Sequence, residues 1–142
     1  MRYQLRVFVD SDVIISSLIS RSGAAYFLIH ETDLKLYVST FSFQELKIVV
    51  ERLKLDTNEF EKLMKRKFSV IKLPKKARQI KKEYAEYVSE VNDAHVVAGT
   101  VMSQAQFLIT YNMKHFKIEK IKSDFNILLT TPARFLQYLR SL

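Results

Sequence analysis

The chain has 142 residues, no cysteine and two glycines, which excludes disulfides, thiolate metal sites and glycine-rich phosphate-binding loops. An apolar fraction of 48 % is enough for a hydrophobic core, and we expect a single domain over residues 1–142. The net charge of +8 is uneven, because residues 61–82 contain 10 basic residues and 1 acidic residue. Such a segment favours a polyanionic partner, most commonly nucleic acid, although a solvated lysine surface has the same composition.

The predicted elements alternate between strands and helices. In chain order they are a strand at 4–9, helices at 12–20 and 23–31, a strand at 35–39, helices that begin at Ser42 and at Asp56 or Thr57, a strand or extended connector at 69–73, a helix over 77–91, a helix from Asn92 or Asp93, strands at 106–110 and 126–130, and a helix after Thr131. This order predicts a three-layer α/β/α fold with a mostly parallel central sheet of four to five strands.

Polar residues follow the predicted strands at the positions where functional sites form in such sheets. Asp10 ends the first strand and Asp12 follows it, Glu45 comes soon after the second strand, Asp93 begins a helix, and Asn112 lies just beyond the strand at 106–110. If the sheet is parallel, these side chains converge on one edge. Clustered carboxylates repel one another unless a cation is present, and oxygen ligands indicate Mg²⁺ or Mn²⁺.

Three of these residues could also serve as helix caps. Asp12 could be the N-cap of the first helix, and Asp93 could be an N-cap or a first-turn acid that favours the helix dipole. The S-x-x-E spacing of Ser42 and Glu45 is typical of a capping box. We expect His95 to pack or to form a hydrogen bond rather than to bind a metal.

Four segments together resemble the PIN domain family, a group of metal-dependent nucleases that includes the VapC-type toxins of toxin–antitoxin modules. The segments are VFVDSDVIISSLI, VSTFSFQELKIVV, NDAHVVAGTVMSQAQFLITYNMKHF and LLTTPARFLQYL. Their order and spacing carry the resemblance, which extends over about residues 4–140.

The resemblance implies that Asp10, Glu45 and Asp93 are catalytic residues that bind the metal ion. Asn112 occupies the position of the family's fourth acid, and the next polar position downstream is His115 rather than an acid. An asparagine can supply a carbonyl oxygen but lacks the negative charge, which Asp12 could restore from a neighbouring position. This departure leaves open how strongly a metal is bound and whether the site holds one ion or two.

The implied activity is hydrolysis of RNA phosphodiester bonds with Mg²⁺ or Mn²⁺, with DNA as a further possible substrate. Ser11 and Thr110 match small hydroxyl positions that orient ligands or phosphate. The resemblance also implies an antitoxin protein as partner and a homodimer, and we expect a cytoplasmic protein because no membrane-spanning stretch is evident. The residues expected to bind nucleic acid are Lys65, Arg66, Lys67, Lys72, Lys75, Lys76, Arg78, Lys81 and Lys82.

Two alternatives remain at this point. The changes at Asn112 and His115 would suit a degenerate PIN-like domain that binds RNA or a protein without cleavage. The opening VFVDSDVII also resembles that of phosphatases in which the first aspartate, here Asp10, is the nucleophile and the second, here Asp12, a general acid. Those enzymes need acids after a late strand, whereas the corresponding strand here ends in ITYN.

Overall fold

The computed structural model describes residues 5–142. The five strands are β1 (Arg6–Val9), β2 (Lys35–Ser39), β3 (Phe68–Ile71), β4 (Phe107–Ile109) and β5 (Leu128–Thr130). The eight α-helices are α1 (Ser11–Ile19), α2 (Ala24–His30), α3 (Thr40–Arg52), α4 (Thr57–Lys67), α5 (Ala77–Tyr84), α6 (Ala94–Met102), α7 (Ile118–Phe125) and α8 (Pro132–Arg140).

The strands form one sheet in the order β3-β2-β1-β4-β5, and every neighbouring pair is parallel. In the centre of the sheet, Val7 of β1 is in register with Leu36 of β2 and Phe107 of β4. All strands therefore begin at one edge of the sheet, here the amino edge, and end at the other, the carboxyl edge. The predicted three-layer fold is confirmed, with five strands that are all parallel.

Alternating side chains of β1 explain the two helical layers. Val7 and Val9 point into a core that includes residues of α1, α2, α3, α4 and α8. Phe8 and its neighbour on β4, Leu108, point to the opposite side, into a core with residues of α5, α6 and α7. Since successive side chains of a strand face opposite ways, an apolar run such as VFV fits a strand covered by helices on both faces.

Helix α7 was missing from the prediction, which placed the last two strands next to each other along the chain. Parallel neighbours cannot be joined by a tight hairpin and need a crossover connection. Helix α7 supplies it, with the fully buried Ile121 on its inner face and a left-handed Asn126 (φ 58°) at its C-cap. The apolar spacing of Ile118, Ile121 and Phe125 was the available signal.

The remaining differences concern element ends. The predicted first strand began at position 4, which lies outside the described residues, and β1 begins at Arg6. The predicted helix over 77–91 ends at Tyr84 and is followed by two 3₁₀ turns, Ala85–Tyr87 and Val91–Asp93. Two predicted starts are confirmed by cap hydrogen bonds, which are accepted by the side chains of Asp56 and Thr131.

Within residues 5–142, no single helix has the length and apolar character needed to cross a membrane. Helices α1 and α2 meet that requirement by length and composition only when taken together, and their axes are bent by 98° at the break between them.

Candidate functional site

Asp10 lies at the centre of the carboxyl edge, directly after β1, and is the N-cap of α1. Its Oδ1 accepts a hydrogen bond from the backbone N–H of Ser11 at 2.8 Å. Its Oδ2 accepts one from the Thr110 hydroxyl at 2.9 Å. Because Thr110 directly follows β4, the neighbour of β1 in the sheet, the carboxylate is held between the ends of two adjacent strands. This is where the parallel topology was expected to place it.

The surroundings of Asp10 disfavour its negative charge. Burial, the nearby Asp12 carboxylate and, to a smaller extent, Asp93 raise its pKa to about 7. The hydrogen bonds from Thr110 and Ser11 act in the opposite direction. The site therefore brings carboxylates close enough for their charges to oppose one another.

Asp12 lies in the first turn of α1, and the prediction that it caps this helix is wrong, because Asp10 does so. Its Oδ2 accepts a hydrogen bond from the backbone N–H of Tyr111 at 3.0 Å. Its Oδ1 is buried and has no hydrogen-bond partner in the described part of the chain. Burial raises its pKa above the ordinary aspartate value. A buried oxygen in this state is open to a further donor or a cation.

The segment after β4 is tied to both aspartates. Thr110 donates to Asp10, and its hydroxyl oxygen accepts the backbone N–H of Asn112 at 3.0 Å. Together with the bond from Tyr111 to Asp12, this fixes three consecutive residues around the two carboxylates. Asn112, which the sequence resemblance placed at the position of a fourth acid, is thus anchored to the site through its backbone.

Glu45 does not form the predicted capping box with Ser42. Helix α3 begins earlier, at Thr40, and its N-cap is Ser39, whose hydroxyl accepts the backbone N–H of Ser42. Glu45 lies in the second turn of α3, where its Oε1 is 2.5 Å from Nε2 of His95. The cap signal was real but belongs to the residue three positions before Ser42.

Asp93 ends the 3₁₀ turn before α6, and its side chain makes no capping hydrogen bond to that helix. Its Oδ2 lies 3.3 Å from Nδ1 of His115. Burial raises the pKa of Asp93 and so does Glu45, whereas His115 and His95 lower it. Two of the predicted metal-binding acids therefore each contact a histidine, and sequence spacing gave no sign of this pairing.

The donor chemistry of this edge fits a hard divalent cation. Its carboxylates repel one another, which a cation would relieve, and Asp12 has a buried oxygen without a hydrogen-bond partner in the described residues. Their spacing does not form a ready coordination shell, since among residues 5–142 no three His, Cys, Asp or Glu side chains are grouped as metal ligands. A cation would have to draw these side chains closer together.

The sequence pattern of the PIN domain matches residues 6–114, which include all of these acids. The chain belongs to the PIN domain family. No curated protein sequence matches it.

Solved structures agree with the PIN domain fold. The chain is similar to the toxin–antitoxin complex from Klebsiella pneumoniae, with a TM-score of 0.65 and 17 % identity over 89 % of this chain and 97 % of that one. It is also similar to VapBC2 from Rickettsia felis bound to a DNA fragment from their promoter, with a TM-score of 0.60 and 14 % identity over 89 % and 98 % of the two chains.

The PIN domain distributes its basic segment over both edges of the sheet. Residues Lys65–Lys67 end α4 immediately before β3 begins and lie at the amino edge, away from the carboxylates. Lys72 follows the end of β3 and lies at the carboxyl edge, and Lys76 is the N-cap of α5. Lys81 and Lys82 occupy the last turn of α5. The nine predicted nucleic-acid-binding residues therefore do not form one stripe.

A cavity of about 210 Å³ opens between α1, α2 and α4 of the PIN domain, and no residue of the acidic site lines it. Apolar side chains from α1 and α4 form part of its wall, together with several charged groups. Its lining residues are Leu18, His30, Glu59, Lys62, Leu63, Arg66 and Lys67. Burial and the neighbouring Lys67 lower the pKa of His30. The cavity is thus a second feature, with an apolar wall and more basic than acidic side chains around it, which the sequence did not reveal.

Proposed function

We propose that this PIN domain is a metal-dependent endoribonuclease and the toxin of a toxin–antitoxin pair. The observation that carries the proposal is the convergence of Asp10, Asp12 and Asp93 at the carboxyl edge, with Glu45 on the adjacent α3. Asp10, Glu45 and Asp93 would hold Mg²⁺ or Mn²⁺, and Asp12 and Asn112 would add further oxygen atoms.

When bound, such an ion supplies a water of lowered pKa and offsets the charge that develops on the phosphoryl group. The chain's own residues prepare the site for this chemistry. Thr110 and Ser11 fix the two oxygens of Asp10 and favour its ionised form. The backbone N–H of Tyr111 does the same for Asp12. These hydrogen bonds offset part of the cost that burial and neighbouring charge impose on the ionised carboxylates.

The substrate is proposed to approach along the carboxyl edge next to β3. Lys72, Lys75, Lys76 and Arg78 follow this strand or begin α5, and β3 is two strands away from β1. Adjacent strands are about 4.8 Å apart, so the backbone at Lys72, which directly follows β3, lies roughly 10 Å along the sheet from that at Asp10. That spacing suits contacts to phosphates that flank the scissile bond. We propose RNA as the substrate, and DNA of the same sequence serves as the control substrate.

The test is a cleavage assay with end-labelled RNA and Mn²⁺ or Mg²⁺, repeated with excess chelator and with Asp10→Asn. We expect internal cleavage that leaves 5′-phosphate ends and stops with either treatment. Cleavage that survives the chelator or the substitution would contradict the metal-nuclease proposal. Parallel reactions with DNA decide the polymer.

The second candidate function is RNA or protein binding without cleavage. It is favoured by the ungrouped metal ligands in the described residues and by an asparagine, Asn112, at the position of the fourth acid. It predicts RNA binding that changes with salt but no cleavage with any divalent ion. The same assay, run beside a filter-binding measurement, distinguishes the two functions.

The cavity between α1, α2 and α4 is proposed to receive the antitoxin. Its apolar wall, with Leu18 and Leu63, and its cations Lys62, Arg66 and Lys67 would suit an amphipathic acidic segment. Similarity to two toxin–antitoxin complexes supports a partner of this kind. A homodimer is the proposed assembly of the toxin itself. Calorimetry with the protein encoded beside this chain tests the first point, and light scattering tests the second.

A further inference from the structure

We propose that His95 is a positioning residue that fixes the Glu45 carboxylate for cation binding at the carboxyl edge. The inference rests on the proposed metal-dependent function. It assigns a role to a histidine that the sequence alone indicated only as a packing or hydrogen-bonding residue.

The surroundings of His95 leave its ring little freedom. The residue lies in the first turn of α6 and is 9 % exposed, and the Phe41 ring lies with its centroid 6.0 Å away. Its Nδ1 is buried without a hydrogen-bond partner in the part of the chain that the structure describes. Burial of a polar ring with one unpartnered nitrogen is costly, and the contact of the other nitrogen is the polar interaction that can offset this cost.

That contact is to Glu45, whose Oε1 is 2.5 Å from Nε2 of His95. Nε2 can hold this oxygen as a hydrogen-bond donor when it carries the proton of the ring, because a carboxylate oxygen can only accept. The Glu45 side chain is 55 % exposed, and a glutamate on an exposed helix surface otherwise samples several rotamers. The rigid ring therefore selects one position for a side chain that is otherwise mobile.

The placement of His95 also links two acids. It follows Asp93 by two residues, so one short segment supplies both a proposed metal ligand and the group that fixes another. Its partner Glu45 lies on α3, which packs on the opposite face of the sheet from α6. The contact thus joins the two helical layers above the carboxyl edge. Partners that orient a metal ligand in this way typically change metal affinity 10–100-fold when they are removed.

Manganese binding tests the proposal without relying on activity. Isothermal titration calorimetry would compare the unsubstituted protein with His95→Phe, which keeps an apolar ring, and with His95→Gln, whose amide can still donate to Glu45. We expect about a tenfold or larger loss of Mn²⁺ affinity for the Phe variant and a loss of less than about threefold for the Gln variant. RNA cleavage at limiting Mn²⁺ should follow the same order.

A double-substitution cycle separates positioning from packing. In a Glu45→Gln background, His95→Phe should cause no further loss of Mn²⁺ affinity, because the carboxylate that it positions is already gone. Glu86→Gln, which alters an exposed carboxylate paired with Lys120, serves as the control and should bind Mn²⁺ normally. Circular dichroism monitors folding, and His95→Leu replaces the Phe variant if that protein does not fold.

Three results would overturn the inference. They are equal Mn²⁺ affinity in the Phe variant and the unsubstituted protein, equal losses in the Phe and Gln variants, and additive losses in the cycle. If the unsubstituted protein binds no Mn²⁺, the proposed function and this inference both fail. If it binds Mn²⁺ and cleaves RNA while the His95 variants behave normally, only the inference fails.

Discussion

The carboxylates of the carboxyl edge and the cations of residues 61–82 have opposite charges, and the fold also distributes them differently. Asp10, Glu45 and Asp93 are far apart in the sequence, but the fold brings them to the edge where the parallel strands end. The cations are neighbours in the sequence, yet α4, β3 and α5 carry them to both edges and both faces of the sheet. Charge density along a chain therefore does not equal charge density on a surface.

The difference has a physical cause. A parallel sheet aligns all strand ends, so single residues placed after several strands converge whatever their separation in sequence. A helix that returns from one strand to the next reverses direction, so its last turn lies at the opposite edge. Lys65–Lys67 are in that last turn and Lys72 follows the strand, so only four residues of β3 separate cations at opposite edges.

The strongest test of the acidic region is Asp10→Asn. We expect cleavage to fall by at least about 10³-fold, because the central carboxylate of the cluster loses its charge while the side chain keeps its size. The measurement is single-turnover cleavage of end-labelled RNA at saturating Mn²⁺. Asp33→Asn, a change of an aspartate outside the site, is the matched control. Cleavage by Asp10→Asn within tenfold of the unsubstituted protein would remove Asp10 from the mechanism.

The same substitution should stabilise the metal-free fold in a pH-dependent way. In the folded protein the pKa of the Asp10 carboxyl is about 7, compared with 3.8 for an ordinary aspartate, so folding disfavours ionisation of this group. Below pH 3.8 both states are protonated, and no cost arises from Asp10. As the pH rises towards 7, only the unfolded chain ionises and stability falls by about 1.4 kcal/mol for each pH unit.

Asparagine removes this penalty. Between about pH 5 and pH 8, the free energy of unfolding of Asp10→Asn should therefore rise relative to the unsubstituted protein by about 3 kcal/mol. Urea unfolding with chelator present, followed by circular dichroism at both pH values, measures the difference. A constant difference across this range would mean that Asp10 ionises freely in the fold.

Two triple substitutions test whether the basic residues at the two edges of the sheet bind different partners. Changing Lys72, Lys75 and Lys76 to alanine should weaken RNA binding about tenfold or more at physiological salt and reduce the slope of log K against log salt by up to about 2. Changing residues 65–67 to alanine should leave the affinity for RNA within about twofold of that of the unsubstituted protein. The affinity for the antitoxin should fall instead. Filter binding over a salt series measures the first effect. Equal losses of RNA affinity would show one continuous surface.

The comparison of the acidic edge with the basic segment also explains which features the sequence could predict. The apolar strands, the cap at Thr131 and the alternation of elements specified the layers, because these signals are local. Helix α7 was missed because its short amphipathic pattern lies among charged residues. The convergence of Asp10 and Asp93 followed from topology and could be predicted.

Other site features could not be predicted in this way. The contact of Glu45 with His95 depends on how α3 and α6 pack across the sheet, and no spacing in the sequence encodes that distance. The cap of α3 was misplaced because both Ser39 and Ser42 are good caps, and only the end of β2 decides between them. The cavity beside His30 likewise arises from the packing of three helices.

The smallest expected effect concerns Thr110, which connects the two strands behind the acidic cluster. Thr110→Val keeps the shape of the side chain but removes the donor to Asp10 and the acceptor for Asn112. Because the hydrogen bond from Thr110 lowers the pKa of Asp10, its loss should raise that pKa further. At pH 7 protons then compete more strongly with Mn²⁺ for this carboxylate, and we expect about a tenfold loss of cleavage rate at limiting Mn²⁺.

A purely structural role for Thr110 would lower the rate equally at every pH. Loss of charge on Asp10 instead predicts that the deficit of Thr110→Val shrinks as the pH rises from about 7 to about 9, since the carboxylate ionises at the higher pH. Thr110→Ser, which keeps the hydroxyl, should retain the profile of the unsubstituted protein. A deficit that does not change with pH, or a serine variant as impaired as the valine variant, would show that this hydroxyl does not control the charge on Asp10.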